Sequence, residues 1–572
     1  AAARFPCEEI SARRAETLEF GNADELHDGL VWLGSLTEDE VQAAANWREW
    51  LDELAANKRA ARIDVAETKL WIAAERLPHF RALWPALTTV PAITAPAAYD
   101  KEWSADEALV EILRGRLEGL GPATQAALAA TLGLQPEAIA TTLAALETEG
   151  FALRGRFTPD PPVDEWCERR LLARIHRYTI KRLRAEIEPV SARDFLRFLF
   201  RWQRVAPDTQ VEGAASLDTV VAQLEGFGAP AAAWEGDILP ARLKDYRPSW
   251  LDARCLAGHA TWLRLGARAA TGRPTTVRTT PVTLLPPRHA ALWRAMALPA
   301  DPAARPSAQA QAVVDFIAAN GASFFDELLQ HCGLLRSQLE EALAELVALG
   351  LVTSDSFAGL RALLVPFAER KPGGTRRRRA AASAMEDSGR WSLVRAAAPA
   401  GTVDAASVEH VARALLSRYG VVFWRMLERE ASWLPPWREL LRVYRRLEGS
   451  GEIRGGRFVA GFTGEQFALP EAIGTLREVR RRPPSGEWTA VSGADPLNLA
   501  GILTPGPRLA ALAGNRLLYR DGVPAAALSG GEIRFLEPLD AATEWFARKV
   551  LVRGTGQGSS FAAEFTAAAA GS

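Results

Sequence analysis

The stretch ADEALVEILRGRLEGLGPATQAALAATLGLQPEAIATTLAALETEGFALRGRF, residues 105–157, decides the fold. Its opening reads as a helix to about Arg116, broken at Gly121-Pro122. A short second helix over 123–132 stops at Gly133. Gln135-Pro136-Glu137 then opens a third helix, with proline in the first turn, where its missing N–H costs nothing. Gly150 ends that helix, and Phe151 to Phe157 alternates and turns as a small hairpin would. Helix, turn, helix, helix and a two-stranded wing is the order of a winged helix-turn-helix.

The same order recurs at 308–364, where Leu339, Leu343, Leu346 and Leu349 have helical spacing and a wing is expected from 351–353 with 360–364. A further copy spans 408–467, with a long helix over 437–447, a strand at 452–454 and a tight Gly455-Gly456 turn into 457–461. A less regular copy lies in 163–265. It opens with a basic helix over 164–187, ended by Pro189, and Ser191 caps the next helix. Helices are expected at 38–56 and 66–74, with Thr37 as a cap.

These readings divide the chain as follows. A helical, winged-helix-like module at 1–100 and a winged helix at 101–162 come first. A winged-helix-like domain with an insertion covers 163–305, and a winged helix covers 306–368. An Arg-rich linker at 369–403 leads to a winged helix at 404–485. The stretches LLYRDGVPAAAL and GGEIRFLE, with an Asp521-Gly522 turn, suggest a small β-barrel at 486–553, and a disordered tail fills 554–572. The expected fold class is mainly α with small β: tandem winged-helix domains followed by a C-terminal β-barrel.

The chain has 572 residues, 48% of them apolar, enough for several cores of ordinary domain size. No stretch is long and apolar enough to span a bilayer, and no secretory signal is recognised, so a cytoplasmic location is expected. Cys7, Cys167, Cys255 and Cys332 are scattered with no Cys-x-x-Cys spacing, so neither a disulfide framework nor a metal site is expected. Net charge is −1, so the chain as a whole is no polyanion binder, but only seven of its 68 basic residues are lysine. Arginine offers phosphates and bases a planar fork, although an alanine-rich, GC-biased composition also favours it. The phosphate-binding loop G-x-x-x-x-G-K-[ST] is missing; Gly373-Gly374-Thr375 lacks the lysine. This chain by itself is not expected to hydrolyse ATP, and no cofactor is expected.

Within RFLFRWQRV, Arg201, Trp202, Gln203 and Arg204 end a helix together. A tryptophan can stack on an unpaired base and a glutamine can read a base edge. The alternative is a core stripe of Phe198, Leu199 and Trp202 with solvated arginines. The Arg376–Arg379 run can contact phosphates or serve as a solvated tether.

The strings EWCERRLLARIHRYTIKRLRAEIEPV (165–190), FLRFLFRWQ (195–203), GGRFVAGFTGEQFALPEA (455–472), ADPLNLAGILTPG (494–506) and GLVWLGSLTEDE (29–40) resemble the C-terminal half of the bacterial large helicase-related (Lhr) proteins. Those are ATP-dependent DNA-repair helicases whose motor lies in the N-terminal half. The resemblance implies a winged-helix array similar to the AlkZ-type DNA glycosylases. It also implies a single-stranded or damaged DNA partner, a helicase motor in the parent protein, and a homo-oligomer such as a tetramer. Uracil excision is implied too, and it requires a base held out of the stack and a group that activates water. AlkZ-type enzymes use Gln-x-Gln. Gln309-Ala310-Gln311 has that spelling at an alanine-rich helix start, whereas Gln203 lacks the second glutamine. Asp495 and Asp540 are the alternative acids, each able instead to cap a turn. Arg457 and Gln466, in or beside the last wing, are expected to touch DNA. The competing readings are a non-catalytic DNA-docking and oligomerisation scaffold for the motor, and a protein-binding scaffold.

Overall fold

The computed structural model describes residues 20–66, 68–158, 161–266, 276–297, 305–364, 389–394 and 404–553. The Arg376–Arg379 run and the tail lie outside them. The chain forms two compact units, Ala1–Glu186 with Gly449–Gly451, and Ile187–Glu448 with Glu452–Ser572.

Among the described residues, five of the six sheets share one rule: of three strands the last in sequence lies between the two earlier ones, and the first sheet adds a fourth, Thr89–Val90, beside Ala60–Val65. Each sheet's first strand falls between two helices, and its second and third follow the long helix. This is winged-helix topology, five times over.

In the first unit the leading module is built from helices Ala23–Leu33, Glu38–Gln42 and Trp47–Ala56. Thr37 caps the second of these with a full capping box to Glu40. The helix expected at 66–74 is instead strand Thr68–Ala73, paired on one side with Ala60–Val65 and on the other with Leu36–Thr37. Leu70 to Ala73 are all buried. A strand covered on both faces has no polar alternation, so its apolar run does not separate it from a helix by period.

The next module has helices Ala105–Gly119, Gln125–Leu132 and Pro136–Thr148. Gly115 lets its first helix meet Ala23–Leu33 closely; a Cβ there would stand 2.7 Å from the Trp32 carbonyl oxygen. The wing is strand Ala152–Gly155 with Glu165–Glu168, not a hairpin confined to 151–157. The basic helix starts later than expected, at Arg169, because Glu168 caps it by accepting from the Arg170 and Leu171 amides.

In the second unit the other wings need the same correction. In the fourth module Val352–Ser354 pairs with Arg390–Leu393, and Phe357–Leu363 is a helix. In the fifth, Arg454–Gly456 pairs with Gln466–Ala468. In the leading module the central strand follows its partner after two residues, whereas in these modules a longer segment separates the two strands of the wing.

The expected β-barrel is an open sheet. Trp488–Ser492, Arg516–Arg520, Val523–Ser529 and Glu532–Phe535 form a meander whose first and last strands are unpaired edges. Helix Ala541–Arg553 covers one face through Phe546, Ala547, Val550 and Leu551, so closure is not needed to bury it. Asp521 and Gly522 turn the second strand into the third with φ of 47° and 79°. Gly522 is required twice over: a Cβ would also lie 2.3 Å from the Arg193 carbonyl oxygen. No helix among the described residues is long and apolar enough to cross a membrane.

Candidate nucleic-acid interface

A winged helix offers its third helix to a groove and its wing to the backbone. The five third helices differ sharply in charge. Pro136–Thr148 has no basic residue. Trp47–Ala56 has only Arg48, which pairs with Glu38. Pro248–Leu256 has only Arg254, which pairs with Asp218 at 3.2 Å. Arg336–Leu349 has one arginine and three glutamates.

Trp437–Gly449, WRELLRVYRRLEG, is different. Leu440, Val443, Tyr444 and Leu447 are buried and fix one face inward. Arg438, Arg442 and Arg445 follow at spacings of four and three, so they form one exposed row. Arg445 is tied to Glu465 at 2.6 Å and Arg446 to Glu409. Arg438 and Arg442 make no ion pair among the described residues, so their guanidinium groups are available to anions.

The wing beside this helix is braced from inside. Gln466 is fully buried; its Oε1 accepts from the Phe458 and Val459 amides at 2.9 and 2.8 Å, and its Nε2 donates to the Val459 carbonyl at 3.0 Å. Gln466 therefore holds the loop, while Arg457 in that loop is exposed.

The RFLFRWQRV cluster is turned into the protein. Arg201 pairs with Asp208 at 2.9 Å. Trp202 is half-buried, stacks on Phe198, and donates Nε1–H to the Ser417 carbonyl at 2.9 Å. Gln203 is fully buried, donating to the Arg418 carbonyl and accepting from Arg242. Arg204 donates to Gln223 at 2.7 Å.

Of the two acids, Asp495 is buried against Arg242, while Asp540 is exposed. Asp540 caps the last helix by accepting from the Thr543 amide at 2.9 Å and its hydroxyl at 2.7 Å, and these bonds hold its carboxyl below the usual range. No hydrogen bond joins the two. Gln309 and Gln311 sit on helix Ala308–Asn320, where Gln311 bonds Asp315. Sequence reasoning misses Arg438 and Arg442 although their spacing is visible there; Arg242 carries no local signal at all.

The first unit has its own basic surface. On helix Arg169–Ala185, exposed Arg170, Arg174, Arg177 and Lys181 follow at spacings of four, three and four. Its start borders a cleft of about 890 Å³ that Trp32, Arg114 and Phe151 also line, with Glu118, Glu149 and Glu168 among them. The glutamates make that cleft mixed in charge. Among the described residues, one set of metal-type ligands converges: Glu225, His289 and His410 in the second unit. Burial pushes the Glu225 carboxyl up, but hydrogen bonds from His410, Trp293 and His289 outweigh it and leave it below its usual range.

Five copies of one topology, with one copy carrying an arginine row, define a tandem winged-helix protein. Models described as "Large helicase-related protein, winged-helix domain" match residues 7–102, 190–286 and 402–488. The "Lhr helicase/ probable uracil glycosylase" of Mycolicibacterium smegmatis is 30% identical over 508 residues, covering 84% of this chain and 32% of that protein. The "Lhr helicase/uracil glycosylase" of Escherichia coli is 29% identical over 383 residues, covering 60% of this chain and 24% of that protein. Among solved structures, the Streptomyces sahachiroi DNA glycosylase AlkZ matches with 14% identity and a TM-score of 0.35, over 64% of this chain and 98% of that one. The chain contains winged-helix domains of the large helicase-related type, and it spans about a third or less of the length of these two relatives.

Proposed function

We propose that this chain is the DNA-binding, uracil-excising region of an Lhr-type repair helicase, with the fifth winged helix as its main DNA contact. The observation that carries the reading is the exposed row Arg438, Arg442 and Arg445 beside Arg457, set against four third helices with no such row. Guanidinium groups at that spacing suit successive phosphates, and such contacts supply most salt-sensitive affinity. Uracil excision is carried over from the names of the relatives. Asp540, exposed to solvent, is the acid assigned the water-activating role. Asp495, enclosed with Arg242, serves the fold. The motor of the parent protein, the homo-oligomer and the cytoplasmic location belong to the same proposal.

The test uses a labelled single strand carrying one uracil, incubated with the purified chain and then with alkali. Scission lost in Asp540→Ala and kept in a folded control supports the enzyme. Salt-sensitive binding without scission leaves a DNA-docking scaffold. Binding insensitive to salt and to the arginine row sinks both.

A further inference from the structure

Glu225, His289 and His410 come from three separate segments: the turn after helix Ser216–Gln223, the 3-10 turn Pro287–His289, and helix Ala405–Tyr419. His289 Nδ1 lies 2.8 Å and His410 Nε2 2.7 Å from the same oxygen, Glu225 Oε1, and all the ligand atoms fall within 4.8 Å of one another. The imidazole rings meet edge to face with centroids 4.4 Å apart. The carboxylate is 7% exposed while the histidines are 27% and 23% exposed, so the cluster has a closed acidic floor and an open imidazole side. Its floor is fixed: Trp293 donates Nε1–H to Glu225 at 2.7 Å, and Arg418 donates to the Glu225 backbone carbonyl.

We propose that Glu225, His289 and His410 bind one divalent transition-metal ion of the zinc class, with a fourth position open to water on the imidazole side. Imidazole nitrogen with carboxylate oxygen is the donor set such ions favour, and three protein ligands with one open position is the pattern of a site that keeps an exchangeable water. A tetrahedral ion with bonds of about 2.0–2.2 Å holds its ligand atoms roughly 3.4 Å apart. The cluster needs only a small opening of the two imidazoles away from Oε1. The proton each imidazole now gives to Oε1 moves to its outer nitrogen. For His289 that nitrogen accepts from Arg288 Nε at 3.2 Å, so exposed Arg288 swings aside. Trp293 then acts as the outer donor that orients the carboxylate. The ligands are too far apart in sequence for any short motif to betray them. The proposal stands whether or not the chain excises uracil.

The purified chain is stripped with a chelator, then titrated with Zn²⁺ and with Co²⁺, reading metal retained after desalting and the visible Co²⁺ spectrum. One ion per chain is expected. His289→Gln and His410→Gln each weaken it by more than about tenfold, and Trp293→Phe, which removes the N–H donor together with part of the indole ring, by about tenfold. His259→Gln, at an exposed histidine, leaves it unchanged. Circular dichroism of the metal-free variants checks their folding. Wild-type binding that never saturates near one equivalent, or variants that bind like the wild type, overturns the proposal.

Discussion

Arg242 grips Asp495 with both arms: Nη1 donates to Oδ2 at 2.7 Å and Nη2 to Oδ1 at 3.0 Å, with both side chains out of solvent. Nη2 also donates to Gln203, which is bonded in turn to the Arg418 carbonyl. Asp495 further accepts from the Leu497 amide, and its carbonyl accepts from Arg429. One residue thereby joins the segment that carries Arg242, the fifth module and the C-terminal sheet. Replacing Asp495 by Asn leaves a buried guanidinium half-compensated, which costs about 3–5 kcal/mol. Chemical denaturation is expected to show that loss. A fully stable but inactive Asp495→Asn would make the acid catalytic instead.

The arginine row predicts a salt signature. Removing one arginine–phosphate interaction lowers the slope of log affinity against log salt by about 0.9 on duplex DNA. Arg438→Ala with Arg442→Ala is therefore expected to weaken binding at low salt and to flatten the slope by about 1.8. Anisotropy titrations across a salt series read both. An unchanged slope removes the fifth module as the main DNA-binding element.

Gln466 and Arg457 separate fold from recognition. Gln466→Ala strands two buried amides, at a cost of roughly 1–3 kcal/mol each, and is expected to lower the melting temperature. Arg457→Ala is expected to leave stability unchanged and to weaken DNA binding. The reverse pattern would put Gln466 at the interface.

His79 predicts an acid-sensitive first unit. Burial, with Arg76 nearby, holds its pKa down to about 4 from 6.5. Its ring lies 4.2 Å from that of Trp103. Between those values the unfolded chain binds the proton and the folded one refuses it. The stability is complete above pH 6.5 and is shed as pH falls towards 4. His79→Phe keeps the ring contact and is expected to flatten this decline in thermal melts from pH 7 to 4. An equally steep decline in the variant would assign it to other groups.

The sequence by itself determined the module. Glycine stops, the proline at a first turn, Thr37 and Ser191 as caps, and leucines at helical spacing act within a few residues of one another, so they are readable in order. It also displayed the arginine row of Trp437–Gly449, whose spacing is local. What the tertiary structure decided was every pairing at a distance. In every wing but the first the middle strand comes from beyond a longer segment, Thr68–Ala73 is a strand because both its faces are covered, and the last sheet stays open because a helix lies on it. The sites followed the same division. Gln203, Gln466 and Asp495 have polar chemistry suited to a surface, yet burial turned each into an internal brace. Local sequence states what a side chain can bond; only long-range packing states which partner reaches it first.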